Sequence, residues 1–194
     1  MALRVGQPLP SGILDSAVLD SGGAPHMFAD LVDGAISVVI FLRHFGCIGC
    51  SENVRSLAPR FNELDQLGVK VFLIGCGPPA FIDGFREREG LLHRPVSLFT
   101  DTTLEIQKQV GLRYGLWGGF RPKALFEMVR AFTSGHTSHG IEGDIRQQAG
   151  ALVIDQDGTV LAYHKSEGLG DHVQGTDLVK TAMKAVLAKQ PGVV

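Results

Sequence analysis

Cys47 and Cys50 stand three residues apart, with Arg43 and His44 just ahead of them. On the first turn of a helix, residues at this spacing lie about 5 to 6 Å apart, inside the span a disulfide bridges. The pair can therefore cycle between dithiol and disulfide. A free thiol of pKa about 8.5 is only about 3% ionised at pH 7, and a shift to about 6.5, giving roughly 75% thiolate, requires about 2.7 kcal/mol. A helix N-terminus supplies about 0.3 to 1 kcal/mol and at most about 2. Another group must help. Arg43, permanently charged and next to the pair, is the first candidate, able also to polarise a substrate. His44 is the second, as proton donor to a departing oxygen or thiol. If a strand runs on through both, their side chains face opposite ways and one of them reaches the sulfurs. The plainer alternatives are a salt-bridged arginine and a packed imidazole.

Cys76, between Gly75 and Gly77, reads as a small buried apolar residue rather than a third redox centre. His44, Cys47 and Cys50 make a poor zinc site, because no second Cys/His pair follows at a fixed spacing; His136 and His139 would have to join from far along the chain. No metal and no bound organic cofactor is expected.

The elements that must position the motif alternate. The runs 36–42 and 69–74 are short, apolar and β-branched, as in strands covered on both faces. Between them Val54, Leu57, Phe61, Leu64 and Leu67 recur at helical spacing, so a buried strand delivers the cysteines to a helix running on from Ser51 in a βαβ unit. Pro59 removes an amide donor and should kink that helix. A helix follows over 79–89 and a strand over 97–100; Asp101 or Thr102 can cap a helix through Val110. Residues 151–154 and 159–163 flank a hairpin turn, and an amphipathic helix covers 177–189. Ahead of Ile36, residues 13–19 suggest an added strand and 27–32 a short helix.

Residues 111–143 break the rhythm, with four glycines among 111–119, the only tryptophan, Trp117, and a helical-looking 123–132. Such an insertion suits a lid over an organic substrate, with Trp117 as its contact surface, or an ordinary surface excursion.

Composition frames these readings. The 194 residues are 44% hydrophobic and 20% charged, enough for one sizeable core and one domain over 1–194. The net charge of -2 and the absence of a basic block argue against nucleic acid and anionic membrane as partners. No run of about 18 apolar residues is present to span a bilayer, and the start lacks the apolar core of a secretory signal, so a cytoplasmic, reducing location is expected. Three cysteines cannot build an even disulfide framework, which favours a redox pair.

The early Val5-Gly6-Gln7-Pro8, the segment 41–50 after its strand and the stretch 143–150 before the hairpin together resemble the thioredoxin-fold AhpC/TSA antioxidant superfamily. The nearest likeness is to its peroxiredoxin-like branch, the relatives of selenoprotein U and the prostamide/prostaglandin F synthases. The resemblance implies an α/β thioredoxin-like fold, a central mixed sheet flanked by helices, with an N-terminal extension and an inserted helical segment. Peroxiredoxins carry Pro-x-x-x-Thr-x-x-Cys and a later Arg; on that pattern Cys50 takes the peroxidatic position, Cys47 the Thr position, Arg43 the Pro position and Ala149 the Arg position. Thioredoxins place their nucleophile at the position of Cys47 and a cis-proline where this chain has Gly150. The resemblance also brings Gln147 and Gln148 near the motif, with Gln148 as a substrate contact or a loop-ordering hydrogen bond.

The function implied is a thiol-dependent oxidoreductase that reduces a peroxide, endoperoxide or disulfide and is restored by a thioredoxin- or glutathione-type donor. For a peroxide the analogy favours Cys50 as the attacking sulfur; for a disulfide it favours Cys47, as the more exposed of the two. A specialised biosynthetic enzyme on an organic molecule, a redox-regulated binding module and a homodimer stay open.

Overall fold

The computed structural model describes residues 3–112, 147–166 and 175–189. The elements in chain order are α1 (Ser11–Leu14), β1 (Ala17–Leu19), β2 (Pro25–Met27), α2 (Phe28–Val32), β3 (Ser37–Phe41), α3 (Ile48–Gln66), β4 (Lys70–Gly75), α4 (Phe81–Arg88), β5 (Ser97–Thr100), α5 (Glu105–Gln109), β6 (Gly150–Ile154), β7 (Val160–Lys165) and α6 (Gly175–Lys189). The seven strands form one mixed sheet in the order β2-β1-β5-β4-β3-β6-β7. β3, β4 and β5 run parallel, and β6 lies antiparallel against β3, with Phe41 opposite Gly150.

The apolar runs have the cause expected of them. Successive side chains of a strand point to opposite faces, and both faces here are covered. Val38, Ile40, Val71, Leu73, Ala151 and Val153 pack on one side with Val54, Leu57, Phe61 and Leu64 of α3. Val39, Phe41, Phe72, Ile74, Leu152 and Ile154 pack on the other with Ile13, Phe28 and Ile106. Each face thus has its own core.

Several local expectations are corrected. α3 starts at Ile48 with Cys47 as its N-cap, inside the motif rather than after it, and it continues through Pro59 to Gln66. The strand expected over 13–19 is shorter, preceded by the turn of helix α1 and paired antiparallel with β2. The N-cap of α5 is Leu104, at φ 60°, rather than Asp101 or Thr102; Asp101, three residues ahead, still accepts amides of the first turn, its Oδ1 that of Glu105 and its Oδ2 that of Gln107. The expected insertion lies outside the described residues beyond Leu112, and with it Trp117, His136 and His139. Among the described residues no helix is long and apolar enough to cross a membrane.

This topology fixes where chemistry can happen. β3 ends at its carboxyl edge between β4, reached by a crossover, and β6, which runs the other way. Open α/β sheets place ligands at such a reversal. The loop leaving β3 there carries Arg43 and His44 into the cysteine motif.

Candidate active site

β3 stops at Phe41, so Arg43 and His44 sit in a loop rather than on a strand, and the opposite-faces argument does not apply. Both are buried, at 6% and 8% exposure, as are Cys47 at 5% and Cys50 at 2%. The N-terminal cysteine is therefore hardly more exposed than its partner. The backbone wraps around the motif: the Leu42 amide still donates to Ile74 at 2.8 Å, the Cys47 amide to the His44 carbonyl at 3.2 Å and the Ser51 amide to the Cys47 carbonyl at 3.0 Å. The Arg43 amide donates to Cys50 Sγ at 3.3 Å. Cys76 is buried as expected, and its thiol donates to the Arg43 carbonyl at 2.7 Å. One residue's peptide groups thus link two sulfurs.

The two thiols of the motif are free and unequal. The Cys47 thiol is lowered to about 7, first by a hydrogen bond from the Cys50 thiol, then by the Cys50 amide, the Arg43 charge and the Gly49 amide, against the opposing effect of burial. The Cys50 thiol is raised well above its ordinary value because it supplies that proton and because it is buried. Cys47 makes no cap hydrogen bond of standard geometry. The amides of the turn it caps nevertheless lie near enough to favour its thiolate, as a helix N-terminus does. The help that the helix end alone could not give comes chiefly from Cys50, with Arg43 contributing less.

Arg43 carries a second signal. Its Nε is buried and has no hydrogen-bond partner among the described residues. A buried donor left unpaired costs about 1 to 3 kcal/mol, more when charged, and marks a place where an acceptor fits. On the Cys50 side of the pair, Cys50, Asn53, Ala149, Gly150, His164 and Ser166 line a crevice of about 10 Å³, room for one water molecule. Gly150 is constrained there: a Cβ would meet Leu112 Cδ2 at 2.6 Å and the His164 carbonyl at 2.8 Å. A larger concavity of about 610 Å³, lined by Asp30, Asp65, Lys70 and Arg94, lies at the opposite end of the strands.

The structure thus brings Arg43, His44, Cys47 and Cys50 together. Gln148, only partly buried, donates its Nε2 hydrogen to the Ser166 carbonyl, a tie between the β6 and β7 ends. Sequence reasoning missed three supports. Gln107 is fully buried and reaches the Leu42 carbonyl at 3.4 Å. Phe45, 0% exposed, packs edge-on to Phe85 at 5.5 Å. Glu89 is buried and accepts from Ser51 at 2.8 Å. Only spatial neighbours identify these, since nothing in spacing relates positions 38 to 65 apart. Among the described residues no cluster of three His, Cys, Asp or Glu could hold a metal ion.

Comparison with known proteins agrees with this layout. The AhpC/TSA antioxidant enzyme family matches over residues 56–168, more than half of the chain. The chain belongs to that family. The matched segment begins beyond Cys50, so the motif is supported by the surrounding fold and not by the match itself. Among AhpC/TSA relatives, bovine (Bos taurus) Peroxiredoxin-like 2C is 28% identical over 177 residues, covering 86% of this chain and 76% of the relative. Human (Homo sapiens) Prostamide/prostaglandin F synthase is 31% identical over 141 residues, covering 70% and 69%. Peroxidoxin BcpB from Mycobacterium tuberculosis superposes with a TM-score of 0.66 at 15% identity, over 97% of this chain and 99% of that one. Xylella fastidiosa PrxQ gives 0.67 at 11% identity, over 97% and 98%. These superpositions establish the peroxiredoxin type of thioredoxin-like fold.

Proposed function

We propose that this AhpC/TSA family member is a thiol-dependent oxidoreductase that reduces a peroxide or endoperoxide, with Cys47 as the attacking sulfur and Cys50 as the resolving one. The observation that carries the reading is the place of Cys47 as the N-cap of α3, where the amides of the first turn help to lower its thiol while the more deeply buried Cys50 thiol is raised. This supports the opposite of the order that the peroxidatic alignment favours. The names of the relatives, among them a prostaglandin F synthase and peroxiredoxins, point to substrates with an oxygen–oxygen bond.

The Cys47 thiolate attacks one oxygen and the O–O bond breaks, its electron pair leaving on the second oxygen, which takes up a proton. With a hydroperoxide the products are an alcohol and a Cys47 sulfenic acid; with an endoperoxide, a sulfenate ester and a free hydroxyl. Cys50 then attacks the Cys47 sulfur, water or the second alcohol leaves, and the disulfide closes. The substrate has gained two electrons and two protons. An external dithiol, of thioredoxin or glutathione type, restores the pair by exchange. Arg43, with its unpartnered Nε, is the group to stabilise the departing oxyanion, and His44 is the candidate proton donor.

The test is consumption of a dithiol donor with hydrogen peroxide, an organic hydroperoxide, a cyclic endoperoxide and a model disulfide. Turnover with an O–O substrate that vanishes in Cys47→Ser supports the reading. Turnover with the disulfide alone would move the substrate class to protein or small-molecule disulfides, and a single stoichiometric oxidation would make the chain a redox-regulated binding module.

A further inference from the structure

We infer that Glu89, acting through Ser51, is a positioning residue of the Cys47–Cys50 dithiol. The inference rests on the reading of that dithiol as the reactive pair. Glu89 stands at the C-terminal end of α4, and its side chain is 0% exposed. Its Oε1 accepts from the Ser51 hydroxyl at 2.8 Å and from Arg88 Nε at 3.3 Å, and its Oε2 from Arg55 Nε at 2.7 Å. Two guanidinium groups already balance one buried carboxylate. A mere tie between α3 and α4 would need no more, and Arg55, 44% exposed, provides it from the surface.

The Ser51 hydroxyl does something the arginines do not. Ser51 is buried, follows Cys50 directly, and closes the first turn of α3 with its amide on the Cys47 carbonyl. Fixing its side chain on Glu89 fixes the turn that presents the Gly49 and Cys50 amides to Cys47. The other end of the same loop is gripped from the same place. Arg88, on the Glu89 carboxylate, also donates its Nη2 hydrogen to the Phe45 carbonyl. Its guanidinium lies over the Phe85 ring at 5.5 Å, and that ring packs on Phe45. Residues 45 and 51 are thus both anchored to one carboxylate, and the donors around Cys47 cannot drift apart. The arrangement pre-organises the thiolate site from a helix that contributes no group to it.

The test uses the full chain carrying Ser51→Ala or Ser51→Thr, both of which leave Glu89 its two arginines. The pH profile of Cys47 alkylation by iodoacetamide, located by mass spectrometry, is read beside the urea unfolding midpoint, which reports that each variant is folded. Ser51→Ala is expected to raise the Cys47 midpoint by about one pH unit, about tenfold in ionisation constant, and Ser51→Thr, which keeps the hydroxyl, to restore it. A Ser51→Ala profile that coincides with the wild type while only the urea midpoint falls would reduce the network to a helix tie and overturn the inference alone. An ordinary thiol midpoint for Cys47 in the wild type would overturn the functional reading and this inference with it.

Discussion

At the scale of residues, the spacing of Cys47 and Cys50 announces a dithiol but is symmetrical with respect to which sulfur carries the charge. What breaks the symmetry is the three-dimensional path of the loop, which turns the Gly49 and Cys50 amides and the Cys50 thiol toward Cys47. In labelling of the reduced protein, Cys47 should react with a midpoint near 7, as its lowered value requires, while Cys50 stays unreactive above the ordinary thiol range. Equal labelling of both across that interval would contradict this asymmetry. Arg43→Ala removes the donor assigned to the departing oxyanion and should slow the first oxidation by about 10² to 10³, the effect typical of losing one such donor. Arg43→Lys should recover part of it through charge alone. Stopped-flow oxidation of the reduced variants measures both. The role of Arg43 was legible as adjacency; the burial and unpaired Nε that strengthen it were not, because no sequence pattern records what a guanidinium fails to meet.

At the scale of elements, the βαβ unit was readable because β3 and β4 are covered on both faces and so carry unbroken apolar runs, while α3 buries one stripe at helical spacing. The short β1–β2 hairpin was not, since three-residue strands leave too few side chains to display a period. Packing between elements sets further constraints on the site. A Cβ at Gly75, the last residue of β4, would fall 2.5 to 2.8 Å from three ring atoms of Phe45, which Phe85 already wedges from another side. Gly75→Ala should therefore cost about 1 to 3 kcal/mol, as overpacking does, and displace the loop into the motif. Denaturant unfolding together with the Cys47 alkylation rate checks this: a stable protein with a slower Cys47 would confine the effect to the loop, whereas a variant unchanged in both would refute the contact.

At the scale of the whole molecule, the unequal thiols couple chemistry to stability. The folded chain ionises Cys47 near 7, whereas an ordinary free thiol does so at about 8.5. Between these the unfolded state holds more protons, so this contribution to the reduced protein's stability is fully present above about pH 9 and lost as the pH falls through about 7. Cys50 acts the other way above about pH 9, because the folded chain holds its proton where the unfolded chain releases it. The urea midpoint of the reduced protein should rise from about pH 6 to about pH 8.5, and Cys47→Ser should flatten that rise. The proposed reduction of an oxygen–oxygen bond by this AhpC/TSA family member depends most heavily on Cys47 as the sulfur that attacks oxygen. Intact-mass and peptide analysis of Cys50→Ser and Cys47→Ser, each reduced and then given one equivalent of an organic hydroperoxide, tests this most directly. One oxygen trapped on Cys47 in Cys50→Ser, and no oxidation of Cys47→Ser, is the expected result. One oxygen on Cys50 in Cys47→Ser, with Cys50→Ser left unoxidised, would contradict it.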